Sequence, residues 1–180
     1  MISKVKKNGF IPSVLYNKIL RLMPIVSVEA VIVMGNALLF LKRKNQPAKG
    51  QWWFPGGRIH KGESFEETLY REVKEETGLQ IIAHSFIGVY SRVFPERHDI
   101  TIAYLCKCKG QVTLDNEHSE YKLFKNIPSD LHPYLLETIK DSEWEKICNT
   151  YRPNQALNYL TPLENLERNF KTGGKVSLII

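Results

Sequence analysis

Cysteine is scarce, with three in 180 residues. That is too few for the disulfide framework that staples small secreted domains. Cys106 and Cys108 lie two apart in an extended stretch and so share one strand face, which reads as two small buried residues rather than a metal pair. Long hydrophobic runs are missing too. The longest, "AVIVM" and "ALLFL", fall far short of the roughly 20 residues that a spanning helix needs. The basic "MISKVKKNGF" is not followed by an apolar stretch of signal-peptide length. The expectation is a cytoplasmic protein with no membrane partner.

Acidic residues are the minority, 19 against 25 lysines and arginines, for a formal net charge of +6. A basic balance suits polyanions, including phosphorylated small molecules, although lysines scattered over a solvated face also explain it. Apolar content of 43% and charged content of 24% belong to an ordinary globular chain, long enough for one domain and a tail.

The pattern along the chain mixes helices and strands. "SVLYNKILRLM", residues 13–23, places Leu15, Ile19 and Leu22 at helical spacing. "VSVEAVIVM" and "ALLFLKRK" flank "GN", a hairpin signal. Two more strands are expected in "LQIIAHSFIGVYSRVF" and "ITIAYLCKC", separated by the loop "PERHD", and another in "EYKLFKNI". "SDLHPYLLETIKD" reads as a helix with Pro133 in its first turn. The fold class is therefore α/β or α+β.

Against the basic background, one segment gathers acid: "GGRIHKGESFEETLYREVKEETGL", residues 56–79. Ser64 and Glu67 form a capping box and Gly78 supplies the stop. Residues 65–77 contain no proline or glycine. Phe65, Leu69 and Val73 make an apolar stripe. Glu72, Glu75 and Glu76 fall within an arc of about 100°. Carboxylates so close repel. A solvated face partly neutralised by Arg71 and Lys74 is one resolution; a site for hard divalent cations is the other.

The spacing decides between them. Gly57, Glu63, Arg71-Glu72, Val73, Glu75-Glu76, Gly78 and Leu79 match the Nudix box without a gap. Its seven fixed residues would coincide by chance on the order of once in a hundred million starts. From about residue 24 to 140 the chain resembles the Nudix hydrolases. The resemblance implies a mixed sheet sandwiched between helices, with the box as a loop-helix-loop. It implies hydrolysis of a nucleoside diphosphate linked to another group, with metal-activated water attacking phosphorus and Mg²⁺ or Mn²⁺ as cofactor. Glu72, Glu75 and Glu76, with the Gly57 carbonyl, would be the metal ligands. Arg71 and Glu63 would brace the motif, and Gly78 would close its helix.

The flanks extend the likeness. "RKNQPAKGQWWFPGGRI", residues 43–59, resembles the lead-in of the GDP-mannose branch. Arg43 and Arg58 there would approach substrate phosphates, which suits a guanidinium. Trp53 is the candidate for stacking on substrate, with core packing as its other reading. In "LDNEHSEYKLF", residues 114–124, the same branch places a further metal ligand at Glu117 and a general base at His118. Glu117, His118 and Glu120 compete for the base. That branch lacks part of the box and cleaves at sugar carbon, whereas the full box here implies attack at phosphorus.

The expected organisation is a helical extension over 1–23, the Nudix domain over 24–142 and a tail over 143–180. Within the tail, "NTYRPNQALNYLTPLENLER", residues 149–168, resembles the end of the catalytic region of insertion-sequence transposases, and no transposase activity follows from it. The leading functional expectation is cleavage of a nucleotide sugar such as GDP-mannose, or of ADP-ribose. Clean-up of nucleoside triphosphates and non-catalytic nucleotide sensing are the alternatives. A homodimer is allowed, and nucleic acid is not the expected partner.

Overall fold

In the computed structural model, which describes residues 11–46 and 48–144, one strand has both faces buried. This is β1 (Ile25–Met34), whose residues 27–33 are all buried. Such a strand reads as a continuous apolar run and needs cover on each side. It turns at Gly35 into β2 (Ala37–Arg43), as the hairpin signal anticipates. β2 also pairs with β3 (Trp52–Trp53) and, in residues 38–43, with β7 (His118–Phe124). On its other edge β1 runs parallel to β6 (His98–Lys109), from Ile25↔Asp99 to Val33↔Lys107. β6 pairs in turn with the long antiparallel β5 (Gln80–Val93). The lower half of β1 is capped by β4 (Gly56–Arg58), with Val28 opposite Gly57.

The result is the expected mixed sheet between helices. One face packs Val28, Ala30, Ile32, Ile102, Tyr104 and Cys106 against Leu69 and Val73 of α2 (Phe65–Thr77). The other is covered by α3 (Pro133–Asp141), which buries Leu135 and Ile139. Pro133 stands at the helix start, where its missing N–H is harmless, and the His132 side chain accepts from the Tyr134 N–H. Cys106 is core and Cys108 packs beside it.

Several expectations need correcting. The sequence pattern assigns no strand at β3 or β4, because two or three residues rich in glycine and aromatics carry no period. They form strands only because β2 and β1 offer them partners. β7 begins at His118, two residues early, across a register shift at Lys42/Arg43. Phe65 is 47% exposed, so the α2 stripe is carried by Leu69 and Val73 alone. α1 (Ser13–Leu22) turns Tyr16, Ile19 and Leu20 inward rather than the expected Leu15 and Leu22, both more than half exposed.

None of the described helices is long and apolar enough to cross a membrane. The chain divides after Ser142, and only Glu143 and Trp144 of the second unit are described. The transposase-like stretch 149–168 lies outside the described residues, as do residues 1–10.

A buried ion pair ties the layers together. Arg92 of β5 is 1% exposed and donates to Glu29 of β1 at 2.5 Å and to Thr138 Oγ1 of α3 at 2.7 Å. The Trp53 indole donates to the same Glu29 oxygen at 2.7 Å. Removing one partner strands a buried charge, which costs about 3–5 kcal/mol. Arg92→Ala is expected to lose that much in urea unfolding. The double variant Glu29→Gln/Arg92→Leu, which leaves no charge behind, is expected to recover part of the loss.

Candidate active site

α2 is well specified at both ends. Ser64 Oγ accepts from the Glu67 N–H and the Glu67 carboxylate accepts from the Ser64 N–H, so the capping box is complete. Gly78 takes a left-handed conformation with φ of 70°, which favours glycine. The helix therefore starts and stops where its acidic face reaches a cavity of about 620 Å³.

The Arg71 guanidinium organises that face. It holds both oxygens of Glu63, through Nε at 2.9 Å and Nη2 at 2.8 Å. Nη1 donates to Glu72 at 2.6 Å and to Glu75 at 3.3 Å, and Nη2 also reaches the Arg58 carbonyl at 3.2 Å. The loop before the helix is thereby bound to the helix itself. Hydrogen bonding from Arg71 pulls the Glu63 carboxyl down to about 2.

The remaining carboxylates are poorly compensated. Burial raises the Glu72 carboxyl above its ordinary value; Arg71 opposes that, and Glu75 and Glu117 add to it. Burial raises Glu76 further, against a Gly56 N–H bond of 2.8 Å and with help from the charges of Glu72 and Asp115. Gly57 faces the Glu72 carboxylate so closely that any Cβ there would collide with it. Across from α2, Asp115 and His118 bring a carboxylate oxygen and a ring nitrogen to within 4.8 Å of Glu76 and of one another. A set of hard oxygen donors with buried, only partly compensated negative charge fits a divalent cation of the Mg²⁺ or Mn²⁺ kind.

The anticipated residues divide into two groups. Gly57, Glu72, Glu75, Glu76, Glu117, Arg43 and Arg58 all line the cavity. Burial lowers the Arg43 guanidinium from its usual value, and the nearby charge of Glu76 supports it. Trp53 also borders the cavity, but it is 5% exposed, bonded to Glu29 and packed beside Phe94 and His132. Its core reading is the one the geometry favours. Glu120 stands apart. It points from β7 to Lys42 at 2.9 Å, away from the cavity. Alternation alone would leave it on the face of His118, two residues earlier; the register shift opposite Lys42/Arg43 breaks that alternation, so His118 is buried and Glu120 exposed. His118 is buried, with Nδ1 on Asp115 at 2.8 Å.

Three positions went unread. Asp115 accepts from the backbone N–H groups of Glu117 and His118 at 3.0 and 3.2 Å and so shapes the loop. An aspartate two residues before a polar pair is an Asx-turn signal that could have drawn notice. Glu29 and Asp99 line the cavity on neighbouring strands, and each has a buried oxygen without a hydrogen-bond partner, Oε2 and Oδ1. No local pattern marks them, since it is the parallel pairing of β1 with β6 that sets both on the cavity.

The chain is similar to known proteins over the region that carries this site. Residues 23–138 match the NUDIX domain. The chain is 30% identical over 134 residues to the low-salt glycan biosynthesis protein Agl8 of Haloferax volcanii, covering 69% of this chain and 86% of that one. It is 39% identical over 114 residues to an ADP-ribose pyrophosphatase of Methanocaldococcus jannaschii, covering 61% and 68% respectively. Among solved structures, a MutT NUDIX hydrolase from Burkholderia pseudomallei superposes with a TM-score of 0.62 at 25% identity, over 66% of this chain and 98% of the other.

The Arg71–Glu63 pairing has a pH signature. Because the folded carboxyl of Glu63 sits at about 2, below its ordinary 4.5, its stabilisation is full above 4.5 and is lost as pH falls toward 2. Up to about 3 kcal/mol is at stake. Glu63→Gln is expected to flatten the acid limb of the stability curve over pH 4.5 to 2 in urea titrations.

Proposed function

The chain belongs to the NUDIX family of hydrolases, and on that premise we propose that it cleaves the pyrophosphate of a nucleoside diphosphate joined to another moiety. The observation that carries this reading is the joining of a buried, under-compensated acidic cluster to arginines in one cavity. The substrate class is supported by the likeness to an ADP-ribose pyrophosphatase and by a structural neighbour, the Shewanella oneidensis NrtR NUDIX domain, solved with ADP ribose at a TM-score of 0.55. A nucleotide sugar is the other member of the class, and it suits the likeness to a glycan-biosynthesis protein.

In this reading Glu72, Glu75 and Glu76, with the Gly57 carbonyl and Asp115, hold Mg²⁺ or Mn²⁺. The bound cation would supply neutralisation of phosphate oxygens and a more acidic water. The protein's own part is positional. Arg71 fixes the helix to its loop, so the carboxylates keep their places without reorganising. Arg43 and Arg58 flank the acidic end and would take the outer phosphate oxygens. Glu117, exposed on the cavity wall, is the best placed of the loop's candidate bases. Glu120 is engaged by Lys42, and the Nδ1 of His118 is engaged by Asp115. In-line attack at phosphorus would release a nucleoside monophosphate and a phosphorylated partner.

Glu76→Gln keeps the size of the side chain and its acceptor for the Gly56 N–H. It is expected to lower kcat about 100-fold or more while the metal-free fold stays at least as stable, since a buried charge is gone. Turnover of ADP-ribose and GDP-mannose with Mg²⁺, products identified by mass, together with thermal melts in chelator, checks both halves. Near-normal turnover would remove Glu76 from the site. Release of inorganic pyrophosphate from nucleoside triphosphates as the dominant activity would favour the clean-up reading.

A further inference from the structure

The NUDIX match begins at residue 23, so α1 lies outside it. Ile11, Tyr16 and Leu20 from this segment nonetheless line the same cavity as Glu72, Glu75 and Glu76. Little else holds the helix in place. It has no buried residue, no side-chain cap and no acid in its first turn, and Val14, Leu15 and Leu22 stand largely in solvent. One contact is specific. The Arg58 guanidinium lies over the Tyr16 ring, 5.1 Å from its centroid. Arg58 follows Gly57 directly, so this ring from outside the domain is linked to the phosphate-handling end.

The wall that α1 builds differs in chemistry from the rest of the cavity. Ile11 and Leu20 are aliphatic and Tyr16 is aromatic, and Ile25 at the start of β1 continues the aliphatic surface. A phosphate chain gains nothing from such a wall, whereas a flat, weakly polar ring gains burial and stacking. Glu29 and Asp99 also line the cavity, and a ring with polar edges suits such neighbours better than a hydrocarbon tail does.

We propose that Tyr16 is a specificity-determining residue whose ring stacks on the substrate's nucleobase, within a base subsite built by α1 beyond the NUDIX domain. The proposal rests on the nucleotide reading above. Arg58, already against the ring, would then join the base subsite to the phosphate subsite.

The test is calorimetric binding of AMP, GMP, CMP and UMP against ribose 5-phosphate, which shares their sugar and phosphate and lacks the base. The full chain, Tyr16→Ala and Tyr16→Phe are compared in Mg²⁺, with melting curves to show that all three fold. The unchanged chain is expected to bind at least one mononucleotide about tenfold more tightly than ribose 5-phosphate. Tyr16→Ala is expected to abolish that ratio and Tyr16→Phe to keep it. No base preference in the unchanged chain, or a ratio that survives in Tyr16→Ala, overturns the proposal, as does its loss in Tyr16→Phe. Turnover is measured separately. A base preference carried by Tyr16 without hydrolysis would sink the hydrolase reading alone, and hydrolysis with a ratio indifferent to Tyr16 would sink the stacking role alone.

Discussion

The Arg71 guanidinium is the constraint on which the site depends. Five donors in a rigid plane let it hold both oxygens of Glu63, reach Glu72 and Glu75, and still touch the Arg58 carbonyl. Without it, the loop 56–64 and the helix after it would keep the Ser64 cap, the Thr68 hydroxyl on Glu63 and the Gly56 N–H on Glu76, none of which holds Glu72 or Glu75. With it, the Gly57 carbonyl and the α2 carboxylates belong to one rigid body. A lysine could not do this, because a single ammonium cannot meet Glu63 in bidentate fashion while also serving Glu72. Burial raises Glu72 even with Arg71 beside it, and raises Glu76 further. The motif is thus rigid where Arg71 holds it and still short of positive charge where Glu76 is buried.

The second constraint is the division of labour along β1. Its upper half pairs with β2, while its lower half exchanges β2 for β4. That exchange opens the sheet where Gly56 and Gly57 cross, and the lack of side chains there lets Glu72 and Glu76 approach the backbone. On the α3-covered side of the same strand, Ser27 bonds Thr101 of β6, and with Glu29 and Asp99, which also line the cavity, it makes a polar floor in an otherwise apolar sheet. Arg92 neutralises part of it and is anchored on α3. A buried charge network of this kind is weak as a source of stability, so its placement beside the cavity is better understood as shaping the site.

How much could be read beforehand depended on how local each signal was. The capping box at Ser64–Glu67, the stop at Gly78 and the spacing from Gly57 to Leu79 are properties of neighbouring residues, and they specified α2 and its acidic face. The strands with clear apolar runs were legible for the same reason. β3 and β4 were not, because they exist through pairing with strands distant in sequence. Glu120 and Asp115 show the same divide within a few residues. The string "DNEHSE" offers several acids, and only the side on which each leaves β7 and its loop separates the one bound to Lys42 from the one beside Glu76. Glu29 and Asp99, 70 positions apart, come to line one cavity through parallel pairing of their strands that no single sequence displays.

The cavity is polar at one end and apolar at the other, and that asymmetry constrains what can fill it. The α2 end gathers carboxylates whose nearest cation, Arg71, is already paired with Glu63, Glu72 and Glu75, so it favours ligands that bring positive charge with them, such as a phosphate chain already carrying a divalent ion. An anion without its cation would meet repulsion from Glu72, Glu75, Glu76 and Glu117 that Arg43, Arg58 and Arg71 only partly offset. The α1 end has no charge on Ile11, Tyr16 or Leu20 to reward either ion. A molecule must therefore be charged at one end and neutral and flat at the other to gain from both. Inorganic pyrophosphate satisfies only the first condition and a free nucleoside only the second. A nucleotide-linked pyrophosphate satisfies both, which is why shape and charge in this cavity point to the same class of compound as the box itself.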